Sequence, residues 1–178
     1  MNDALTQYCP DGMITKQRVL NYNEITELYQ KLQIIKYKKI NEINCKQYGY
    51  YYDDKSDTVI LNKKIPKTFA ELGKCIIYRL GINMRFNNVE IKMYENEQHI
   101  KSIVDDVDLG EKTLFFVIGD LCPFKLINLK NAKKTYETKL YTGGCIFLEG
   151  ESRYLWIYST IPMLGKRWII IFRDIPRK

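Results

Sequence analysis

The sequence contains a single histidine, His99, among its 178 residues. Imidazole is the commonest ligand for transition metals and the usual base of serine hydrolases. A site that needs two histidines therefore cannot be built from this chain in any register. The sequence also shows no P-loop and no nucleophile elbow, so neither nucleotide hydrolysis nor serine hydrolase chemistry is indicated.

Paired cysteines are absent as well. The five cysteines are widely spaced and odd in number, and none forms a C-x-x-C pair, which argues against a zinc ribbon or a disulfide scaffold. We expect a reducing compartment, the cytoplasm or the nucleus. No apolar run approaches the roughly 20 residues of a membrane span, and no signal peptide opens the chain, so we expect no membrane association.

Positive charge is abundant. The formal net charge is +7 and the isoelectric point is about 9.0. Basic proteins favour polyanions because neutralised phosphates release condensed counterions. The composition therefore favours nucleic acid as a partner, RNA or a ribonucleoprotein assembly before DNA. The alternative is that the lysines only solvate the surface.

We expect one domain over residues 1–178, opening with an irregular arm over residues 1–20. The run "NEITELYQKL" predicts a helix with Asn23 as its N-cap. A second helix should follow Pro66, with a capping box between Thr68 and Glu71, and should end at Gly81.

Strand patterns dominate the remainder. "YGYYYDDKSDTVIL" predicts an aromatic-rich hairpin, and from Asn87 onward at least seven short β-branched or aromatic runs are divided by turn residues. Two helices followed by antiparallel strands define an α+β fold, a sandwich or a jelly roll with both helices packed on one sheet.

Several segments stand in a specific order: "YGYYY", "IPKTFAEL", "FNNVEIKMYENE", "TLFFVIGDLCPFKL", "GGCIFLEGESRYLWIYSTIP" and "RWIIIFR". In this order the chain resembles, from about Leu20 to Ile175, the AlkB family of iron(II)/2-oxoglutarate dioxygenases, which oxidatively remove alkyl groups from nucleic acid bases. The resemblance implies a double-stranded β-helix, a form of jelly roll, which agrees with the pattern of strands.

The family holds its iron with two histidines and one carboxylate. Its His-x-Asp pair corresponds here to "SIVDDVDLG", which puts Ile103 at the histidine and Asp105 at the carboxylate. A shift of one residue would put Val104 and Asp106 there instead. The last histidine of the family's Arg-Tyr-x-Trp-x-His pattern falls on Tyr158.

Isoleucine cannot coordinate a metal, and a tyrosine with an ordinary pKa near 10 is a poor ligand for iron(II). We therefore regard Ile103, Asp105 and Tyr158 as vestigial metal positions and expect no cofactor. Tyr158 should fill the vacated space and bond to Asp105 or Arg173. A site that combines His99 with one of the aspartates is the remaining way to bind a metal, although a lone loop histidine is more often simply exposed.

The positions that bind 2-oxoglutarate in the family are better preserved here than the metal positions. Arg167 and Arg173 are six residues apart and so share one face of a strand, and in the family such arginines bind the carboxylates of the cosubstrate. Tyr94 matches a family tyrosine near the same anion, but Lys92 replaces the asparagine before it. We expect Tyr94, Arg167 and Arg173 to form a vestigial site, with Arg173 paired to a carboxylate such as Asp105.

The tyrosines of the hairpin, flanked by lysines, can stack nucleic acid bases, although alternate tyrosines also commonly fill the groove between a sheet and a helix. Lysine groups also occur at residues 36–39 and in the tail "RDIPRK". The candidate nucleic-acid residues are Tyr48, Tyr50, Tyr52, Lys63, Lys64, Lys133 and Lys134.

The sequence thus predicts a catalytically inactive AlkB-like protein that acts as a nucleic-acid-binding or ribonucleoprotein component. One alternative is an active demethylase that uses iron(II) and 2-oxoglutarate at an unorthodox metal site. The other is a protein-interaction module or a 2-oxoglutarate sensor.

Overall fold

The structure is a computed structural model that describes residues 8–53 and 55–177. In that part of the chain, two antiparallel sheets pack face to face and two long helices cover the outer side of the larger sheet. The helices are α1 (Tyr22–Gln33), α2 (Lys67–Leu80) and the short α3 (Glu151–Tyr154). The strands are β1 (Met13–Lys16), β2 (Lys38–Ile40), β3 (Ile43–Asp53), β4 (Thr58–Leu61), β5 (Asn88–Glu95), β6 (Lys112–Gly119), β7 (Cys122–Asn128), β8 (Thr135–Leu140), β9 (Cys145–Glu149), β10 (Trp156–Thr160) and β11 (Lys166–Arg173).

The larger sheet has the strand order β1-β9-β6-β11-β5-β3-β2, and β4 pairs with β3 as a hairpin at its edge. The smaller sheet has the order β10-β7-β8. Non-sequential neighbours of this kind are typical of a jelly roll, in which successive strands alternate between two sheets. The predicted α+β jelly roll is confirmed.

Strand β11 divides the core into two layers because its side chains alternate between the two faces of the sheet. Trp168, Ile170 and Phe172 pack against the helices. Ile169 and Ile171 face the space between the sheets, where they meet aromatic and aliphatic side chains of the smaller sheet. Arg167 and Arg173 share this inner face, at opposite ends of the strand.

Local details differ from the sequence predictions. The N-cap of α1 is Asn21 rather than Asn23, because Asn21 accepts from the Glu24 nitrogen at 3.0 Å and Glu24 accepts from the Asn21 nitrogen at 2.7 Å. The capping box predicted at Thr68 is wrong, since Pro66 occupies the N-cap position without a side-chain cap. Gly81 ends α2 as predicted.

The N-terminal arm is not irregular throughout. Residues 1–7 lie outside the described part, but Met13–Lys16 form β1, which pairs with β9 and extends the larger sheet by one strand. The run that begins at Arg153 was predicted to be a strand from its first residue. Its first residues instead form the end of α3, and β10 begins at Trp156.

Of the helices in residues 8–53 and 55–177, none combines the length and the apolar character that a membrane crossing requires.

Candidate functional site

The three positions predicted from the metal pattern meet at the edge of the inner core. Ile103 and Tyr158 form a two-bond bridge, each nitrogen donating to the other residue's carbonyl at 3.0 Å. The bridge fixes the loop after β5 against β10, although the two segments are far apart in sequence. Asp105, two residues further along, turns inward and is 5% exposed.

The register that uses Asp106 does not bring a carboxylate to this place. Asp106 is exposed, and its side chain accepts from the Asp108 nitrogen at 3.1 Å to cap a short 3-10 turn over Val107–Leu109. Asp105 is therefore the carboxylate that faces the inner core.

Three kinds of donor surround the Asp105 carboxylate. The Tyr158 hydroxyl donates to Oδ1, and Arg173 Nη2 lies 3.3 and 3.4 Å from the two oxygens. The Thr113 hydroxyl donates to Oδ2 at 3.3 Å. Arg153 Nη2 lies 3.6 Å from Oδ2. These bonds match the expected pairing of Tyr158 and Arg173 with this aspartate, and they engage both of its oxygens.

Arg153 is the member of this cluster that sequence reasoning missed. Its side chain is buried, and its guanidinium donates to the carbonyls of Asp105 at 3.0 Å, Asp106 at 2.9 Å and Gly110 at 3.3 Å. Arg153 therefore holds the loop that carries Asp105 by its main chain as well as by its charge. It opens the "RYLWIY" run, but a strand prediction there gave no reason to expect a buried arginine.

The charges in the cluster shift one another's pKa values. Burial by itself would raise the pKa of Asp105, but Arg173 and Arg153 outweigh burial and hold it below its usual value. Burial, followed by the Asp105 charge, raises the pKa of Tyr158 well above the usual value for a phenol. At neutral pH Asp105 is therefore a carboxylate, and it accepts a hydrogen bond from the neutral phenol of Tyr158.

Arg173 links this cluster to a second carboxylate. Its Nη1 lies 3.0 Å from Glu90 Oε2, and Lys92 Nζ lies 3.1 Å from Glu90 Oε1. Burial would raise the pKa of Glu90, but Lys92 and Arg173 lower it. Lys92, which stands in place of the family's asparagine, thus contributes a charge to a continuous ion-pair network.

Arg167 lies at the other end of the same face and has different partners. It is 0% exposed, and it donates to the carbonyls of Gln98 at 2.6 Å and Met163 at 3.3 Å. Its guanidinium also lies 6.0 Å from the ring of Tyr94. Its Nε has no hydrogen-bond partner among the described residues. The two arginines therefore lie in separate environments.

The hairpin tyrosines divide between packing and exposure. Tyr48 stacks on Phe69 of α2 at 5.8 Å, so it fills the groove between sheet and helix. Tyr50 lies under the Arg177 guanidinium at 5.1 Å, and the Tyr52 hydroxyl donates to Asp57 at the tip of the hairpin. The packing interpretation holds for Tyr48, whereas Tyr50 and Tyr52 lie beside charged side chains at the edge of the sheet.

The candidate lysines form two groups. Gly49 exchanges main-chain hydrogen bonds with Asn62 and Lys63, which places Lys63 and Lys64 beside the hairpin of the larger sheet. Lys133 and Lys134 are exposed on the turn between β7 and β8 of the smaller sheet, where Lys134 Nζ lies 5.3 Å from the ring of Tyr8. The tail lysine Lys178 lies outside the described residues.

The single histidine, His99, lines a surface pocket with Glu42 and Lys101, and no residue of the Asp105 cluster lines that pocket. His99 is half-buried, and its Nδ1 lies 3.0 Å from the Glu97 carbonyl. Within the described part of the chain, no three histidine, cysteine, aspartate or glutamate side chains come together as a group that could hold a metal ion.

No protein-family model and no curated protein matches the sequence. Solved structures do match the fold. The structure of OsALKBH1 superposes with a TM-score of 0.72 at 15% identity, over 94% of this chain and 99% of that one. A 2OG-Fe(II) oxygenase family oxidoreductase from Burkholderia pseudomallei gives a TM-score of 0.64 at 9% identity, over 93% of this chain and 88% of that one. The chain therefore has the jelly-roll fold of the AlkB-type 2-oxoglutarate oxygenases.

Proposed function

We propose that this chain is an AlkB-like protein without oxygenase activity, and that it serves as a nucleic-acid-binding or ribonucleoprotein component. The observation that carries the first half of the proposal is the Asp105 cluster. A phenol and two guanidinium groups occupy the surroundings of the one carboxylate left from the family's metal pattern.

The residues at this site do not fit an iron(II) ion. Asp105 is bonded on both oxygens, and the Tyr158 phenol is neutral and already donates its proton to that carboxylate. Ile103 offers no ligand atom. Two positive guanidinium groups beside the carboxylate would also repel a divalent cation. An oxygenase of this family needs three ligands on one face, and this arrangement supplies one carboxylate that is already neutralised.

The second half of the proposal rests on charge and on the hairpin. The net charge is +7, and Lys63 and Lys64 lie beside the aromatic hairpin, with Arg177 against Tyr50. Cations next to tyrosines at a sheet edge can bind phosphates while the rings stack on bases. A single-stranded RNA is the partner that we propose for this surface.

Titration of a fluorescent single-stranded RNA at two salt concentrations tests this proposal. With about four lysine–phosphate contacts, each contributing a log–log slope of about −0.7, affinity should fall roughly 50-fold between 50 and 200 mM salt. A matched double-stranded DNA should bind more weakly. Absence of binding at 50 mM salt, or affinity that does not change with salt, would contradict the nucleic-acid half of the proposal and leave the metal half standing.

Arg167 favours a second candidate function, a 2-oxoglutarate sensor. A fully buried guanidinium that donates to two carbonyls and forms no ion pair with a described residue is an unusual resting state for a cation. A carboxylate ligand would supply the negative partner that the Arg167 guanidinium lacks. Calorimetry with 2-oxoglutarate in the absence of metal checks this candidate, and binding that is lost in Arg167→Gln but kept in the exposed control Arg85→Gln would favour it.

A further inference from the structure

An apolar groove runs along the outer side of α2, away from the Asp105 cluster. Its cavity volume is about 640 Å³. The floor consists of aliphatic and aromatic side chains that rest on the helix-side core, and the rim carries a tyrosine and two cations. The floor includes Ile65, Ile77, Met84 and Phe86, and the rim consists of Lys74, Tyr78 and Arg85.

The rim is open to solvent. Tyr78 is 86% exposed, although a tyrosine ring on a helix could easily fold down onto its neighbours. Lys74 and Arg85 are exposed and form no ion pair with any residue in the described ranges. No acidic side chain of those ranges lines the groove. A concave apolar surface with unpaired cations on its edge is complementary to apolar side chains flanked by carboxylates.

We propose that this groove docks an acidic, amphipathic segment of a partner protein. Apolar anchors of that segment would cover Ile77 and Phe86, Tyr78 would close over them, and its carboxylates would pair with Lys74 and Arg85. Docking of a short helix or strand into an apolar groove is a general mode of peptide recognition. This inference does not depend on the proposed binding of RNA, because the two surfaces share no residue.

Other occupants fit less well. A second copy of this chain would bring a +7 molecule against the same basic rim, so like charges would oppose docking. The phosphates of a nucleic acid would pair with the cations of the rim. The floor, however, is mostly aliphatic, whereas bases stack on flat aromatic rings. The aliphatic floor and the cationic rim together therefore favour an acidic peptide.

Selection of displayed peptides of about 14 random residues on the full chain tests the proposal. Enriched peptides should combine aspartate or glutamate with large apolar residues. Their affinity should fall at least tenfold, equivalent to about 1.4 kcal/mol, in the charge-reversed variant Lys74→Glu/Arg85→Glu. Tyr78→Ala should lower the affinity of the same peptides several-fold. Both changes lie on exposed side chains, so the variants should keep the fold, which circular dichroism would verify.

The matched control is Lys101→Glu/Lys139→Glu, which changes the net charge equally at exposed positions away from the groove. It should leave peptide binding within twofold of the parent protein. The proposal is overturned if no peptides are enriched, if the enriched peptides lack acidic residues, or if both double variants weaken them equally. It is also overturned if Tyr78→Ala weakens the binding of single-stranded RNA and leaves the binding of the peptides unchanged.

Discussion

Tyr158 and Asp105 are joined by a buried hydrogen bond in which the phenol donates to the carboxylate. The Ile103–Tyr158 bridge brings the aspartate's loop to β10, so the bond follows from the fold rather than from proximity in sequence. Tyr158 is 4% exposed and its ring packs edge-on against Phe115 at 5.1 Å. A side chain that is packed and bonded in this way acts as a structural member of the core.

Removing only the phenol oxygen tests that structural role. Tyr158→Phe keeps the ring against Phe115 but removes the phenol donor to Oδ1 of Asp105, which is then left with Arg173 Nη2 at 3.3 Å. A lost hydrogen bond to a charged group costs about 1.5–3 kcal/mol. We expect urea denaturation to show a fall of that size in the free energy of unfolding. Tyr141→Phe, at an exposed tyrosine, should change it by less than about 0.5 kcal/mol.

Asp105→Asn should have a larger effect. The amide removes the charge that pairs with Arg153 and Arg173, and it leaves two buried guanidinium groups with less compensation. Breaking a buried ion pair in this way costs about 3–5 kcal/mol. The matched control is Asp11→Asn at an exposed aspartate. If both variants were equally stable at pH 7, the cluster would not support the fold.

The same variant predicts a dependence on pH. Because the folded-state pKa of Asp105 is depressed, its contribution to stability is present above the unfolded-state pKa of about 3.9 and is lost as pH falls through the folded-state pKa. The difference in unfolding free energy between the parent and Asp105→Asn should therefore be largest above about pH 5 and shrink below about pH 4. A difference that grew on acidification would show that the folded-state pKa is raised instead.

Gly49 marks the point where β3 leaves β5 and enters the hairpin with β4. Its φ is +80°, and a Cβ there would lie 1.9 Å from the carbonyl oxygen of Asn87. Gly49→Ala should lower the melting temperature much more than Gly81→Ala, since Gly81 has φ +67° but no atom within 4 Å of the added Cβ. Equal shifts in melting temperature would mean that the backbone moves away from the Asn87 carbonyl oxygen without a cost in stability.

The hairpin lysines predict the salt dependence of RNA binding. Lys63→Gln/Lys64→Gln removes two exposed cations, so the log–log slope against salt should become shallower by about 1.4. Lys101→Gln/Lys139→Gln has the same net charge and lies elsewhere. If both variants changed the slope equally, the overall positive charge of the protein, and not the hairpin lysines, would account for RNA binding.

The strands of the hairpin and those from Asn88 onward were predictable because each is short, β-branched or aromatic, and bounded by turn residues. The resemblance to a known fold agreed with the predicted jelly roll, but the order of the strands in the two sheets was not predicted, since periodicity does not determine it. Strand β1 was missed because Met13–Lys16 is short and alternates weakly, and it forms only because the exposed edge of β9 offers it a partner.

The site was predictable in part. The positions Ile103, Asp105 and Tyr158 came from the motif, and the structure brings them together. Arg153 could not be predicted, because its burial depends on a short helix before β10 and on three carbonyls from a distant loop. Among the described residues, the apolar groove is lined only by residues between Ile65 and Phe86, but it forms because the chain before and after α2 folds back onto that helix, which periodicity does not predict.

Anaerobic calorimetry with iron(II) and 2-oxoglutarate measures whether the Asp105 cluster can hold a metal ion. The natural chain should bind no iron(II), because Asp105 is neutralised by its neighbours and no imidazole is near it. The companion Ile103→His/Tyr158→His supplies two imidazoles beside the same carboxylate and should gain iron(II) binding. Tight iron(II) binding by the natural chain, strengthened by 2-oxoglutarate, would contradict the proposed loss of the metal site.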